Sequence, residues 1–151
     1  MALSGIPVLP QKPQLYTAEL LSTTGGFTFA ANSTTVTNLV SIATIGTNGA
    51  LIESIQVSNS DTAAYSLQLL FLPTGGKLLL LGTVNIPLSS GMTTAAPPVQ
   101  LLNSTNMPGL PKDTNNNSYL LVPASGLLYV GTTATLTAST QVSVIAVGAD
   151  F

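Results

Sequence analysis

The stretch LIESIQVSNSDTAAYSLQLLFLPTGGKLLLLGTVNIPL, Leu51 to Leu88, decides how the rest of the chain is read. Two clusters of turn formers, Asn59-Ser60-Asp61-Thr62 and Pro73-Thr74-Gly75-Gly76, cut it into three segments of strand length. Side chains alternate along a strand. That rule sends Leu51, Glu53, Ile55 and Val57 to one face of the first segment, and Ile52, Ser54, Gln56 and Ser58 to the other. In the second segment Tyr65, Leu67, Leu69 and Phe71 share a face. The third opens on Leu78-Leu79-Leu80-Leu81, apolar on both faces, and continues through Gly82-Thr83-Val84-Asn85-Ile86. A strand apolar on both faces needs cover on both. The expected cover is a second sheet on one side and a neighbouring subunit on the other, which makes Leu78, Leu79, Leu80 and Leu81 the expected contact between copies. Nothing in the stretch is chemically reactive.

Working outward, Phe27-Thr28-Phe29 after Gly25-Gly26 opens the expected β domain, and residues 37–45 (TNLVSIATI) read as a strand closed by Gly46-Thr47-Asn48-Gly49. Residues 87–117 carry Pro87, Gly91, Pro97, Pro98, Pro108, Gly109 and Pro111, and so form the longest irregular region. A short strand at Val99 to Leu102 and a helical turn near Ser104 are expected within it. A loop of that length inside a domain is usually functional or packed on a partner. Residues 119–122, 127–133 and 141–147 supply three further strands. About eight short strands separated by turns predict an all-β chain, a β-sandwich with jelly-roll topology. No internal repeat points to a propeller or β-helix.

Ahead of the sandwich, residues 2–16 carry prolines at 7, 10 and 13 among Ile6, Val8, Leu9 and Leu15. Proline fixes φ and removes a ladder donor, so this segment reads as an extended arm. The division expected is an arm over 1–24 and a sandwich over 25–151. A solvated tail is usually polar and charged. This one is apolar, which makes Ile6, Pro7, Val8, Leu9, Pro10, Pro13 and Leu15 the residues expected to dock on a partner.

Only 5% of the 151 residues are charged, against about 25% in an ordinary soluble protein, and the net charge is −2. Such a surface is poorly protected against self-association, so a stable oligomer or assembled lattice is expected. Three Lys and Arg residues in all cannot form the basic stripe that nucleic acid requires. The opening MALSGIPVLPQKP lacks the pattern of a cleavable signal, and no apolar run is long enough for a membrane-spanning helix. No cofactor is expected.

The chain has no Cys and no His. Thiolate chemistry and a Ser–His nucleophile are therefore excluded. Lys12, Lys77 and Lys112 sit in turn or arm contexts, and none of Glu19, Glu53, Asp61, Asp113 and Asp150 has an evident carboxylate partner in sequence, so no enzyme is expected. Glu53 stands out because it alternates with apolar residues; it is expected either at an exposed end of its face or opposite a lysine across an interface. Asp113-Thr114-Asn115-Asn116-Asn117 begins like a calcium loop. Ser118 then stands where that loop needs glycine, and Ala124 where it needs a bidentate glutamate. A turn built on side-chain caps accounts for it. The sequons at Asn32, Asn103 and Asn116 read as polar loops.

Several segments together resemble a family of small structural proteins of tailed-bacteriophage particles. They are Ile52 to Val57 followed by Asp61-Thr62-Ala63, Leu80 to Val84 followed by Pro87, and Met107-Pro108-Gly109-Leu110-Pro111 leading to Asp113, Asn115, Tyr119-Leu120 and Pro123. The end at Gly148-Ala149-Asp150-Phe151 completes the set. The resemblance covers about residues 50–151 and omits the arm. It implies a decoration (cement) protein on the capsid surface of the virion, a homotrimer whose partner is the major capsid protein. A tail, neck or fibre-associated protein is the alternative in the same class. A carbohydrate-binding β-sandwich is the alternative in another, with Tyr16, Tyr65, Tyr119 and Tyr129 the only tyrosines on which a sugar could stack.

Overall fold

The computed structural model describes residues 12–151, and among them there is no helix. Nine strands form two antiparallel sheets: β1 (Lys12–Leu21), β2 (Val40–Thr44), β3 (Ala50–Asn59), β4 (Tyr65–Leu72), β5 (Leu79–Ile86), β6 (Val99–Gln100), β7 (Leu120–Val122), β8 (Leu127–Thr132) and β9 (Gln141–Asp150). One sheet runs β1-β9-β3-β6, with β7 also paired to β3; the other runs β2-β8-β4-β5. Strands β6 and β7 lie end to end along one edge of β3, at Gln56–Val57 and at Ala50–Ile52. The pairs β1·β9, β2·β8, β3·β7 and β4·β5 are those of a chain doubled back at the 73–78 turn.

The expected edge of the domain moves. Lys12–Leu21, assigned above to the arm, pairs with β9 from Lys12↔Asp150 to Leu21↔Gln141, so the sheet begins at Lys12. Pro13 is tolerated there because β1 is an edge strand, where a missing N–H costs no ladder bond. The remaining docking residues of the arm, Ile6, Pro7, Val8, Leu9 and Pro10, lie outside the described residues. Phe27 to Phe29 form no strand; the segment crosses the outer face of the second sheet, where Phe27 packs with Leu70 and Leu78, flanked by Phe29, Val36 and Leu39. The cover expected from a neighbouring subunit is therefore supplied to Leu78 by the chain itself.

The two sheets bury one core between them. From the first come Leu20, Ile52, Ile55, Val57, Val142 and Val144; from the second Leu67, Leu69, Ile86, Leu128 and Val130. The expected face of β4 holds: Tyr65, Leu67, Leu69 and Phe71 all point into that core. The expected alternation of β3 does not. Its register against β9 passes from Ile52↔Gly148 to Ser54↔Val147, leaving Glu53 as the extra residue of a β-bulge. Ala50 and Ile52 before the bulge and Ile55 and Val57 after it are all buried, while Leu51, Ser54, Gln56 and Ser58 lie on the other side. Gly148 permits this close approach. A Cβ there would run into the Leu51 carbonyl oxygen.

The 60–64 turn carries the chain from one sheet to the other and holds a buried polar cluster. Asp61 is 1% exposed, and its Oδ2 accepts from the Tyr65 hydroxyl, the Thr137 N–H at 2.9 Å and the Thr140 hydroxyl at 3.0 Å. Asn59 donates to the carbonyls of Ala63 and Pro87 and accepts from the Asp61 N–H. Three connections, 60–64, 87–90 and 133–140, are thereby tied at one end of the sandwich. The Tyr65 hydrogen bond, with those from Thr137 and Thr140, holds the Asp61 carboxyl well below the usual carboxylate range.

Ile55→Ala is expected to cost about 2–5 kcal/mol in denaturant unfolding, and Gly148→Ala about 1–3 kcal/mol through the clash at the bulge. Because the Asp61 pKa is depressed on folding, its stabilisation is complete above the unfolded-state value of about 4 and is lost as pH falls from there toward the folded-state value. Melting temperature measured from pH 7 to pH 2 should fall below about pH 4. Asp61→Asn should melt lower at neutral pH and show a shallower acid limb.

Candidate functional site

The bulge that takes Glu53 out of the core register leaves it exposed beside the loop that leads into β7. That loop is a small closed structure. Lys112 and Ser118 form an isolated antiparallel bridge, the Asp113 N–H donates to the Asn117 carbonyl at 2.9 Å, and the Tyr119 N–H donates to the Pro111 carbonyl at 3.1 Å. Inside it Asp113 Oδ1 accepts from the N–H groups of Asn115 and Asn117, both at 2.8 Å, and Oδ2 accepts from the Asn117 side chain. Asn116 takes φ +67°, a left-handed conformation that asparagine tolerates. The Asn117 hydrogen bonds, joined by that of the Asn115 N–H, lower the Asp113 pKa. The turn that the sequence suggested is the one observed.

Between this loop and the outer side of β3 lies an open hollow of about 540 Å³. Its lining combines Leu51, Leu121, Tyr119 and Phe151 with the polar Glu53, Asp113, Asn117 and Ser118. A second hollow of about 320 Å³ adjoins it and shares Glu53, Asn117 and Ser118. Gln100, Asn103, Ser104 and Asn116 bring uncharged amides and hydroxyls to this second part. Ser118 is 7% exposed and lines both hollows. The fold thus brings two carboxylates far apart in sequence to one cleft. Glu53 was singled out from the sequence; Ser118, Tyr119 and Phe151 were not read together with it, because only the pairing of β7 and of β9 with β3 makes them neighbours.

A different surface lies on the outward side of β1 and β9. Leu15 is paired with Val147, and Ile145 follows two residues away on the same side; they are 66%, 43% and 41% exposed. The cross-strand row Pro13, Ala149, Leu51 and Leu121 extends this apolar band toward the hollow. On the opposite sheet, Leu79, Leu80 and Leu81 are exposed on edge strand β5, where a register shift between Leu69 and Leu70 of β4 leaves Leu81 as the extra residue. Leu78 is separated from them, buried in the satellite core. Of the four leucines expected at a contact between copies, three are available for one. The partner-docking residues Pro13 and Leu15 are likewise exposed, on β1.

Tyr16 and Tyr65 point inward and serve the fold. Tyr16 donates to Asp150 at 2.6 Å, and burial, with that acceptor, pushes its pKa up. Tyr65 donates to Asp61. Tyr129 packs against the satellite core, which leaves Tyr119 as the tyrosine at a hollow.

No protein family, no curated protein and no solved structure matches the chain.

Both oxygens of Asp113 are committed to the turn's own donors. Calcium at millimolar concentration is accordingly expected to leave the melting temperature unchanged; a rise of several degrees in a calcium titration would contradict that assignment.

Proposed function

We propose that this protein is a structural component of a bacteriophage particle, binding the outer surface of the capsid as an oligomeric decoration protein. The observation that carries the reading is the apolar band around Leu15, Ile145 and Val147, exposed among the described residues, in a chain with only 5% charged residues. Contiguous apolar surface on a monomer marks an interaction site, and here few charges interrupt it. Burial is worth roughly 25 cal/mol per Å² of apolar surface. Modest contacts repeated over a lattice would sum to substantial stabilisation of a shell.

The strand order supports a jelly-roll reading of the sandwich. The pairs β1·β9, β2·β8, β3·β7 and β4·β5 are those of a doubled ribbon, and rolling it sets β9 beside β3 and β8 beside β4. Jelly rolls are frequent among capsid and lectin domains, and fold alone assigns no function. The resemblance of residues 50–151 to small phage particle proteins is the second support. In this reading the arm and the β1–β9 face contact the major capsid protein, and Leu79, Leu80 and Leu81 on the β5 edge serve contact between copies. An apolar edge of this kind invites pairing unless something covers it.

Light scattering behind a sizing column should give the mass of a trimer, and Leu80→Lys should lower it. A stable monomer would count against the oligomer. Removal of residues 2–11, which spares β1, should weaken co-sedimentation with phage heads at least tenfold, as should Val147→Asp. Undiminished binding by both variants would overturn the docking surface.

A further inference from the structure

We infer that the paired hollows beside Glu53 form a binding site for a neutral oligosaccharide of two or three sugar units. The inference stands apart from the capsid reading and does not rest on it. Small-ligand sites are concavities of about 300–1,000 Å³ with an apolar lining and a few convergent polar groups. The larger hollow, about 540 Å³, has that composition. A sugar ring has an apolar C–H face and a rim of hydroxyls. The rings of Tyr119 and Phe151 offer a surface for the first; Glu53 accepts hydrogen bonds from the second.

Ser118 sits where the two hollows meet: it is 7% exposed as a residue and lines both. A ligand hydroxyl at that junction can meet its hydroxyl as donor or acceptor. Its backbone is fixed by the bridge to Lys112, and the loop is closed by its own hydrogen bonds, so little ordering is needed on binding.

The adjoining hollow decides between a saccharide and a basic side chain. An arginine or lysine would pair with the two carboxylates, yet it would leave the uncharged groups of the second hollow unused. Asn116 and the amide N–H₂ of Gln100, whose Oε1 accepts from the Ile55 N–H, complement hydroxyls there, and the two hollows share Glu53, Asn117 and Ser118. An extended polyhydroxylated ligand engages both halves.

The test is an array of neutral glycans probed with the full chain, followed by calorimetric titration of any hit. Glu53→Gln and Ser118→Ala are the informative variants, the first because Glu53 is exposed and outside the core register. The expected result is binding that falls at least fivefold in each variant, with melting temperature unchanged for Glu53→Gln. Saturation-transfer NMR should place the sugar C–H protons against aromatic protons. Three outcomes overturn the site: no neutral glycan bound at millimolar concentration, binding indifferent to both variants, or binding of an arginine-rich peptide alone.

Discussion

The register of β3 is the constraint on which the rest of the molecule depends. This strand meets β9 along its length, carries β6 and β7 on its other edge, and feeds the turn into the second sheet. A one-residue slip would exchange its buried and exposed sets. The bulge at Glu53 makes such an exchange within the strand, so that Ala50 and Ile52 on one side and Ile55 and Val57 on the other all reach the core. The same irregularity puts a carboxylate outside, next to the loop carrying Asp113. Core and candidate site are therefore two consequences of one local feature.

The polar cluster at the end of the sandwich complements that arrangement. Buried carboxylates are costly unless their oxygens are satisfied. Asp61 meets that condition by drawing donors from its own turn and from the 133–140 connection. The result fixes how β3 leaves one sheet and β4 enters the other, with Asn59 adding the 87–90 connection. Hydrogen bonds at this end and side-chain packing in the middle divide the work of holding two sheets together.

The surface is unusual in the opposite sense. Few charges remain to keep copies apart, and all the exposed leucines but Leu88 lie on β1, β5 and β7. Leu81 and Leu121 flank an apolar crevice of about 70 Å³ where the β5 and β7 sides of the two sheets approach. The apolar band of β1–β9 and the hollow beside β3 lie on one sheet's outer side and meet at Leu51 and Leu121.

Much of this was legible in the sequence. Strands β3, β4 and β5, the 73–76 turn, and the 113–117 turn follow from alternation and from residues that suit turns, both local properties. Composition alone implied an all-β chain with a weakly charged surface. What the sequence left open was long-range. The proline-marked segment from Lys12 became a strand because β9 supplies a partner, and the Phe27 segment became cover for Leu70 and Leu78. The β3 bulge depends on the fit of Gly148 against Leu51 and Ile52, which no window around Glu53 contains. Local propensity can specify where strands and turns occur. Which residue faces the core, and which carboxylates share a cleft, was decided by packing between segments distant along the chain, because only there do burial and close approach impose a choice.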